Sequence, residues 1–286
     1  MLFGVIDVGS NSVRLMISDG KNTIEKLAQT TRLAEGMGSG KVLQKVSIER
    51  SVNAIAGFIE YAKNKDVDKF FVFATAAVRQ AQNKQDFVDW VKQKCGLDVD
   101  IISGETEALF GLLGTLNGKN GAIIDVGGAS SEIAVVENNK LIYSKSLPIG
   151  AVILRDNCGQ DLEKGIDFVE NTIKDYGVVP KSRFYAIGGT ATSIASIMQE
   201  LEPYDPTKTD GFKIYYNALF DLTNKLYSMT VEERRKLKGL QKERAEVIAG
   251  GALILLKIME KIGAEYIIVS EKDNLEGYLM NKMERL

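Results

Sequence analysis

Apolar residues in the first part of the chain come in short runs separated by turn formers. Val5-Ile6 leads into Asp7-Val8-Gly9-Ser10-Asn11-Ser12, and residues 13–17 resume the apolar character, so the pattern reads as strand, tight turn, strand. Asp19-Gly20 makes the next turn and residues 21–29 the third strand of a meander; Gly36 and Gly38 then mark a loop that begins at Arg32. The period changes after that. Apolar positions 48, 52, 55, 56 and 59 predict an amphipathic helix over residues 47–63, with Ser47 as its N-cap. A strand at 70–74 runs into Thr75-Ala76-Ala77-Val78-Arg79. A helix at 86–95, a strand at 99–102 and a helix from Glu105 to about Thr115, capped by Ser103, follow.

The same grammar then returns. Ala122-Ile123-Ile124, the turn Asp125-Val126-Gly127-Gly128-Ala129-Ser130-Ser131-Glu132, and Ile133 to Val136 repeat the opening 118 positions later (Asp125 against Asp7). Gly127 falls on Gly9, Ser130 on Ser12 and Glu132 on Arg14. Asn138-Asn139 closes a hairpin onto a strand at 141–146, and Leu147-Pro148-Ile149-Gly150-Ala151 breaks it. A helix at 162–176 precedes a buried strand, Phe184 to Ile187, which runs into Gly188-Gly189-Thr190 and a helix N-terminus. Pro203 and Pro206 mark a loop, 217–228 and 231–238 read as helices, and 243–262 as a long helix containing Gly250-Gly251. Glycine inside a helix costs on the order of 1 kcal/mol against alanine, so that pair implies close approach of another backbone. A strand at 267–270 and a terminal helix at 275–286, crossing back to the first half, complete the pattern. Duplication implies two domains, 1–117 with about 275–286, and 118–274. The two turns would face each other across a cleft, with hinges near 116–121 and 270–275.

Composition narrows the chemistry. At 286 residues and 45% hydrophobic content the chain can bury two cores. Its 36 basic and 38 acidic residues leave a net charge of −2, so no global field gathers nucleic acid and no DNA partner is expected. Histidine is absent and the two cysteines, Cys95 and Cys158, lie in unrelated segments, which argues against zinc and histidine catalysis. The chain enters a strand without a leader pattern, and its longest apolar stretch, 247–256, is too short to span a bilayer; a cytoplasmic protein with no membrane partner is expected.

Small residues in the central turn let backbone N–H groups converge on an anion, and Ser130 and Ser131 add hydroxyl donors. Asp125 and Glu132 bracket the turn. Carboxylates repel a phosphate unless a cation intervenes or one of them handles a water, so the arrangement suggests Mg²⁺-assisted phosphoryl chemistry over a plain glycine hairpin. Gly188-Gly189-Thr190 is a third anion-binding candidate at a helix N-terminus. Arg32 weighs equally as a surface charge and as an anion contact beside the cleft. Glu105 and Glu107 suit a first helical turn by the helix dipole alone, yet their helix lies at the domain boundary, where a glutamate reaches water.

Two copies of βββαβαβα resemble the actin-like ATPase superfamily. Within it, Asp7-Val-Gly-Ser-Asn-Ser-Val-Arg-Leu15, Arg32-Leu-Ala-Glu-Gly36, Thr75-Ala-Ala-Val-Arg79, Ser103-Gly-Glu-Thr-Glu-Ala108, the turn from Asp125 to Glu132, Leu147-Pro-Ile-Gly-Ala151, Gly188-Gly-Thr190 and Arg244-Ala-Glu246 resemble, in order, the motifs of the exopolyphosphatase and guanosine pentaphosphate phosphohydrolase family in its short two-domain form. The resemblance implies an α/β fold of two actin-like (ribonuclease H-like) domains around a cleft, without a C-terminal histidine-aspartate domain. It implies hydrolysis of the terminal phosphate of polyphosphate or the 5′ γ-phosphate of guanosine pentaphosphate with Mg²⁺, or Mn²⁺ in its place. A homodimer stays open.

By the same resemblance Glu107 would activate the attacking water and Glu132 would be its second glutamate. Asp7 and Asp125 would hold the metal. Ser10, Asn11, Ser12, Gly127, Gly128, Ser130 and Gly189 would contact phosphate oxygens, with Arg14 and Arg79 supplying positive charge. The family usually has glycine at Ala129, glutamate at Thr106 and an arginine near Glu276. An ATP-dependent small-molecule kinase and a sensor that binds guanosine penta- or tetraphosphate without turnover are the rival readings; the Ser103 to Ala108 motif argues against the kinase and the intact glutamates against the sensor.

Overall fold

The computed structural model describes residues 1–37 and 40–284, so Gly38 and the last two positions of the predicted terminal helix lie outside the described residues. Strands β1 (Phe3–Val8), β2 (Ser12–Ser18), β3 (Thr23–Thr30), β4 (Lys69–Ala74) and β5 (Val99–Ile101) form one sheet in the order β3-β2-β1-β4-β5. Strands β6 (Gly121–Val126), β7 (Ser131–Glu137), β8 (Lys140–Leu147), β9 (Phe184–Ile187), β10 (Lys213–Tyr215) and β11 (Tyr266–Val269) form the other, in the order β10-β11-β9-β6-β7-β8. The predicted duplication is thereby realised: β1 and β6 each pair antiparallel with the following strand and parallel with the strand after the first crossover. Register repeats as well, with Asp7 opposite Arg14 and Asp125 opposite Glu132. β1 and β6 are buried along their length, as central strands covered on both faces must be. Asn138 and Asn139 take φ of 51° and 59°, the left-handed pair of a tight hairpin.

The second half departs from the bare repeat. β10 adds antiparallel to the outer edge of β11, inside a stretch read from the sequence as loop and helices. Three residues carry too short a period to register as a strand. The helix predicted from Ser47 spans Lys45–Lys63, with Gln44 before it and no side-chain cap; Ser47 is buried in the first turn instead. The helix predicted from residue 243 spans Ile248–Ile262. Residues before it turn aside, Arg244 into the cleft and Glu246 onto Arg32, Arg155 and Arg235. Its glycines do mark close approaches: a β-carbon on Gly251 would lie 2.7 Å from Thr190 Cγ2, and one on Gly250 3.3 Å from the Ala151 carbonyl oxygen.

Two helices tie the halves together. The helix Gly104–Leu116 follows the first sheet, yet its Ala108, Leu112 and Leu116 pack on Ile123, Ala134 and Ile187 of the second. The terminal helix Asn274–Met283 follows the second sheet and buries Leu275, Tyr278 and Leu279 against Phe3, Val5, Met16 and Phe73 of the first. Tyr278 stacks on Phe73 at 4.6 Å between ring centroids. Where the two helices cross, a β-carbon on Gly277 would fall 1.8 Å from the Phe110 carbonyl oxygen and one on Gly114 2.1 Å from that of Asp273. Only glycine permits that contact. Among the described residues, no helix is long and apolar enough to cross a membrane.

Candidate active site

The two repeated turns are built alike. The Gly9 N–H donates to the Ser12 carbonyl at 3.0 Å and the Gly127 N–H to the Ser130 carbonyl at 3.0 Å. They meet across a narrow cleft: a β-carbon on Gly128 would lie 2.9 Å from Ser10 Cβ and 3.5 Å from the Asn11 nitrogen. Ser10, Asn11 and Ser12 line one wall, Gly127, Gly128 and Ser130 the other. The end of the cleft is closed by Gly188, Gly189 and Thr190, at the N-terminus of the helix Gly188–Met198, where unpaired N–H groups and the helix dipole favour an anion. Gly188, at φ +78°, leaves room for Asp125, whose Oδ1 would be 2.6 Å from a β-carbon there. The Thr190 hydroxyl donates to the Val126 carbonyl at 2.7 Å and fixes that helix end to β6.

Carboxylates occupy the floor. Asp7, Glu107 and Asp125 line the cleft, all less than a tenth exposed. Glu132, on the strand opposite Asp125, is 1% exposed and lies behind the lining; it accepts from the Ser146 hydroxyl at 2.7 Å. Burial pushes Glu107 up to about 7, against the pull of Arg79 and with a push from Asp7. Asp125 is pushed up to about 8 by burial and by Glu107. Burial raises Glu132 well above the carboxylate range, with Glu107 and Asp125 adding to it, and raises Asp7 although Arg14 opposes it.

The predicted arginines separate. Arg14 lines the cleft but donates through Nε (2.9 Å) and Nη2 (2.5 Å) to Asp7 Oδ2 and through Nη1 to Asp273. Burial works against its charge, and Asp273 and Asp7 outweigh that and hold it protonated. Arg79 stands behind Glu107, donating to its Oε2 at 2.9 Å and to the Ile102 carbonyl at 3.0 Å. Arg32 lies outside the lining. Its guanidinium pairs with Glu246 at 3.1 Å, while its backbone N–H donates to the Asn11 carbonyl at 2.8 Å and braces the first turn.

The sequence reading missed residues that the fold brings in. Arg244 stands against Gly189, where a β-carbon would be 2.3 Å from two of its nitrogens, and burial together with Arg14 lowers it to about 10. Its motif was legible, but in a predicted helix a charged residue looks like surface. Asn274 lines the cleft and donates to Asp125 Oδ2 at 3.2 Å; nothing local distinguishes it from a helix-start asparagine.

A hard cation suits the donor set. Asp7 Oδ1 is buried without a hydrogen-bond partner, and Asp125 faces it from the other half of the cleft. Among the described residues, no group of three or more His, Cys, Asp or Glu is arranged as a metal cage. Mg²⁺ does not require one, since it typically takes one or two carboxylates and completes its shell with water and substrate phosphates.

The sequence signature of the Ppx/GppA phosphatase family matches residues 15–286. A bifunctional 3-dehydroquinate synthase/phosphatase of Fusobacterium nucleatum is 28% identical over 98% of this chain and 46% of its own length, so the chain spans about half of that relative. Exopolyphosphatase 2 of Mycobacterium tuberculosis is 25% identical over 96% of this chain and 97% of its own. A guanosine-5′-triphosphate,3′-diphosphate pyrophosphatase of Aeromonas salmonicida is 26% identical over 97% and 58%. The crystal structure of the Ppx/GppA family member of Aquifex aeolicus matches with a TM-score of 0.81 and 28% identity, covering 100% of this chain and 98% of that one.

Proposed function

Since the chain belongs to the Ppx/GppA phosphatase family, we propose that it hydrolyses a terminal phosphoanhydride, that of inorganic polyphosphate or the 5′ γ-phosphate of guanosine pentaphosphate. The observation that carries the reading is Glu107: a buried carboxylate on the lining of a cleft between two phosphate turns, braced from behind by Arg79. A group poised near neutrality there suits proton abstraction from an in-line water. The relatives named exopolyphosphatase and guanosine pentaphosphate pyrophosphatase support the substrate class.

In this reading the turns at Ser10-Asn11-Ser12 and Gly127 to Ser130 grip the phosphate chain from both sides, and the Gly188-Gly189 helix end takes an oxygen of the next phosphate. Glu107 accepts the proton of the attacking water. Glu132, held by Ser146 behind the lining, backs Glu107 and Asp125 as the second glutamate of the site. Asp7 and Asp125 would hold Mg²⁺, which when bound neutralises phosphate charge as bond breaking proceeds. Residues 1–117 with the terminal helix and residues 118–274 would close as two bodies on substrate.

Phosphate release with Mg²⁺ tests this, comparing short and long polyphosphate, guanosine pentaphosphate and ATP. Release from either of the first two classes that collapses in Glu107→Gln supports the hydrolase and identifies its substrate. Transfer from ATP alone to a small molecule, or binding without release, would replace it with a kinase or a sensor.

A further inference from the structure

Asp273 and Asn274 stand side by side at the start of the terminal helix, and each is linked to one of the two aspartates that the repeated strands present, Asp273 through Arg14 and Asn274 directly. Asp273 accepts from Arg14, whose other donors go to Asp7 Oδ2. Asn274 donates to Asp125 Oδ2. Both are buried, at 4% and 3% exposure. One dipeptide on the connection between the halves therefore fixes a carboxylate in each of them.

The helix itself does not need this chemistry. Its cap uses Asp273 Oδ1, which accepts from the Leu275 N–H at 2.9 Å, and Glu276, which accepts from the Asp273 N–H at 2.9 Å. Asparagine or serine caps a helix as well as aspartate does. The negative charge of Asp273 is used mainly by Arg14, with Lys26 Nζ farther off at 3.8 Å from Oδ1. Held between two carboxylates, Arg14 grips Asp7 through one oxygen and leaves Oδ1 buried and unpartnered. Outer carboxylates that orient a ligand in this way are worth about 10- to 100-fold in metal affinity.

We propose that Asp273 and Asn274 are positioning residues that orient Asp7, through Arg14, and Asp125 for a divalent cation. Arg14 on this view serves Asp7 and not the substrate. The proposal rests on the metal reading above.

Its test is Mn²⁺ uptake in the full chain with methylenediphosphonate, a non-hydrolysable phosphate-chain mimic, followed by electron paramagnetic resonance of the free ion. Asp273→Asn keeps the cap and removes the charge; it should weaken Mn²⁺ binding about 10- to 100-fold in a chain that still unfolds cooperatively, with a melting temperature lowered by the lost Arg14 pair. Asn274→Ala should weaken it in the same direction, and Glu276→Gln, which keeps the cap, should leave it unchanged. If wild type binds Mn²⁺ and Asp273→Asn binds it equally well, or if Glu276→Gln is as damaging as Asp273→Asn, the positioning role is overturned and the metal reading stands. If wild type takes up no Mn²⁺, both fall together.

Discussion

Arg79 Nη1 lies 2.9 Å from Glu107 Oε2, an arginine of the first half's short helix Ala76–Gln80 bracing a carboxylate on the helix that crosses to the second half. The pair keeps one oxygen of Glu107 occupied. Glu107→Gln keeps the shape and removes the base, so phosphate release is expected to drop by about 10²- to 10⁴-fold. The melting temperature should fall only slightly, because Arg79 loses its carboxylate partner but is partly exposed and keeps the Ile102 carbonyl. A variant with more than a tenth of wild-type rate would remove Glu107 from the role of base.

The pH profile follows from the same residue. With Glu107 pushed up to about 7, the carboxylate form needed to accept a proton is lost as pH falls, so kcat/KM should decline tenfold per unit below that value. A profile measured from pH 5 to 9 checks it. A flat acid limb would mean that another group takes the proton.

Stability should run in the opposite direction. Asp7, Glu107, Asp125 and Glu132 all have folded-state values raised above the ordinary carboxylate range, chiefly by burial. The folded chain thus binds more protons than the unfolded one between the ordinary values near 4 and the raised ones, and stability falls as pH rises through that interval. Asp273 acts in reverse, lowered by Arg14 and Lys26 despite burial, but it titrates below the window. In metal-free buffer the melting temperature should drop by several degrees from pH 5 to pH 8, and calorimetry at constant ionic strength would show it. A rise over that range contradicts the carboxylate environment described above.

Gly114 and Gly277 let two helices cross with backbones in contact. A methyl group at Gly277 has no flexible neighbour to displace, since the nearest atom is the Phe110 carbonyl oxygen at 1.8 Å. Gly277→Ala should therefore destabilise by about 1–3 kcal/mol or more, measured by urea unfolding. Activity should fall with it, because the Phe110 helix also carries Glu107. A neutral effect would mean that the helices separate more easily than their packing indicates.

How much of this was legible depended on distance along the chain. The duplicated turn announced itself because Asp7 to Arg14 and Asp125 to Glu132 are continuous segments with short-range geometry, and their registers repeat. The Ser103 cap was legible for the same reason; its hydroxyl accepts from the Thr106 N–H at 3.1 Å. Asp273 was not. Its partner Arg14 lies 259 positions away, and a carboxylate before a helix has a complete local explanation as a cap. β10 was hidden by its length, and the start of the Ile248–Ile262 helix by ion pairs that draw Glu246 to three arginines from other segments.

Arg244 gives the last prediction. Among the described residues it makes no ion pair; its Nε donates to Gln241 Oε1 at 3.1 Å, and the rest of the guanidinium stands half-buried against Gly189 at the wall of the cleft. A half-buried cation with no ion-pair partner and a second guanidinium nearby is held at a cost, and desolvation with Arg14 lowers it to about 10. A phosphate at the helix end would supply the missing anion in bidentate geometry. Arg244→Gln should thus raise KM about 10- to 100-fold with a smaller change in kcat, while the ligand-free protein becomes no less stable. Arg244→Lys, which keeps the charge and loses the fork, should fall between the two. Unchanged KM with a large loss of stability would mean that Arg244 serves the fold and not the substrate.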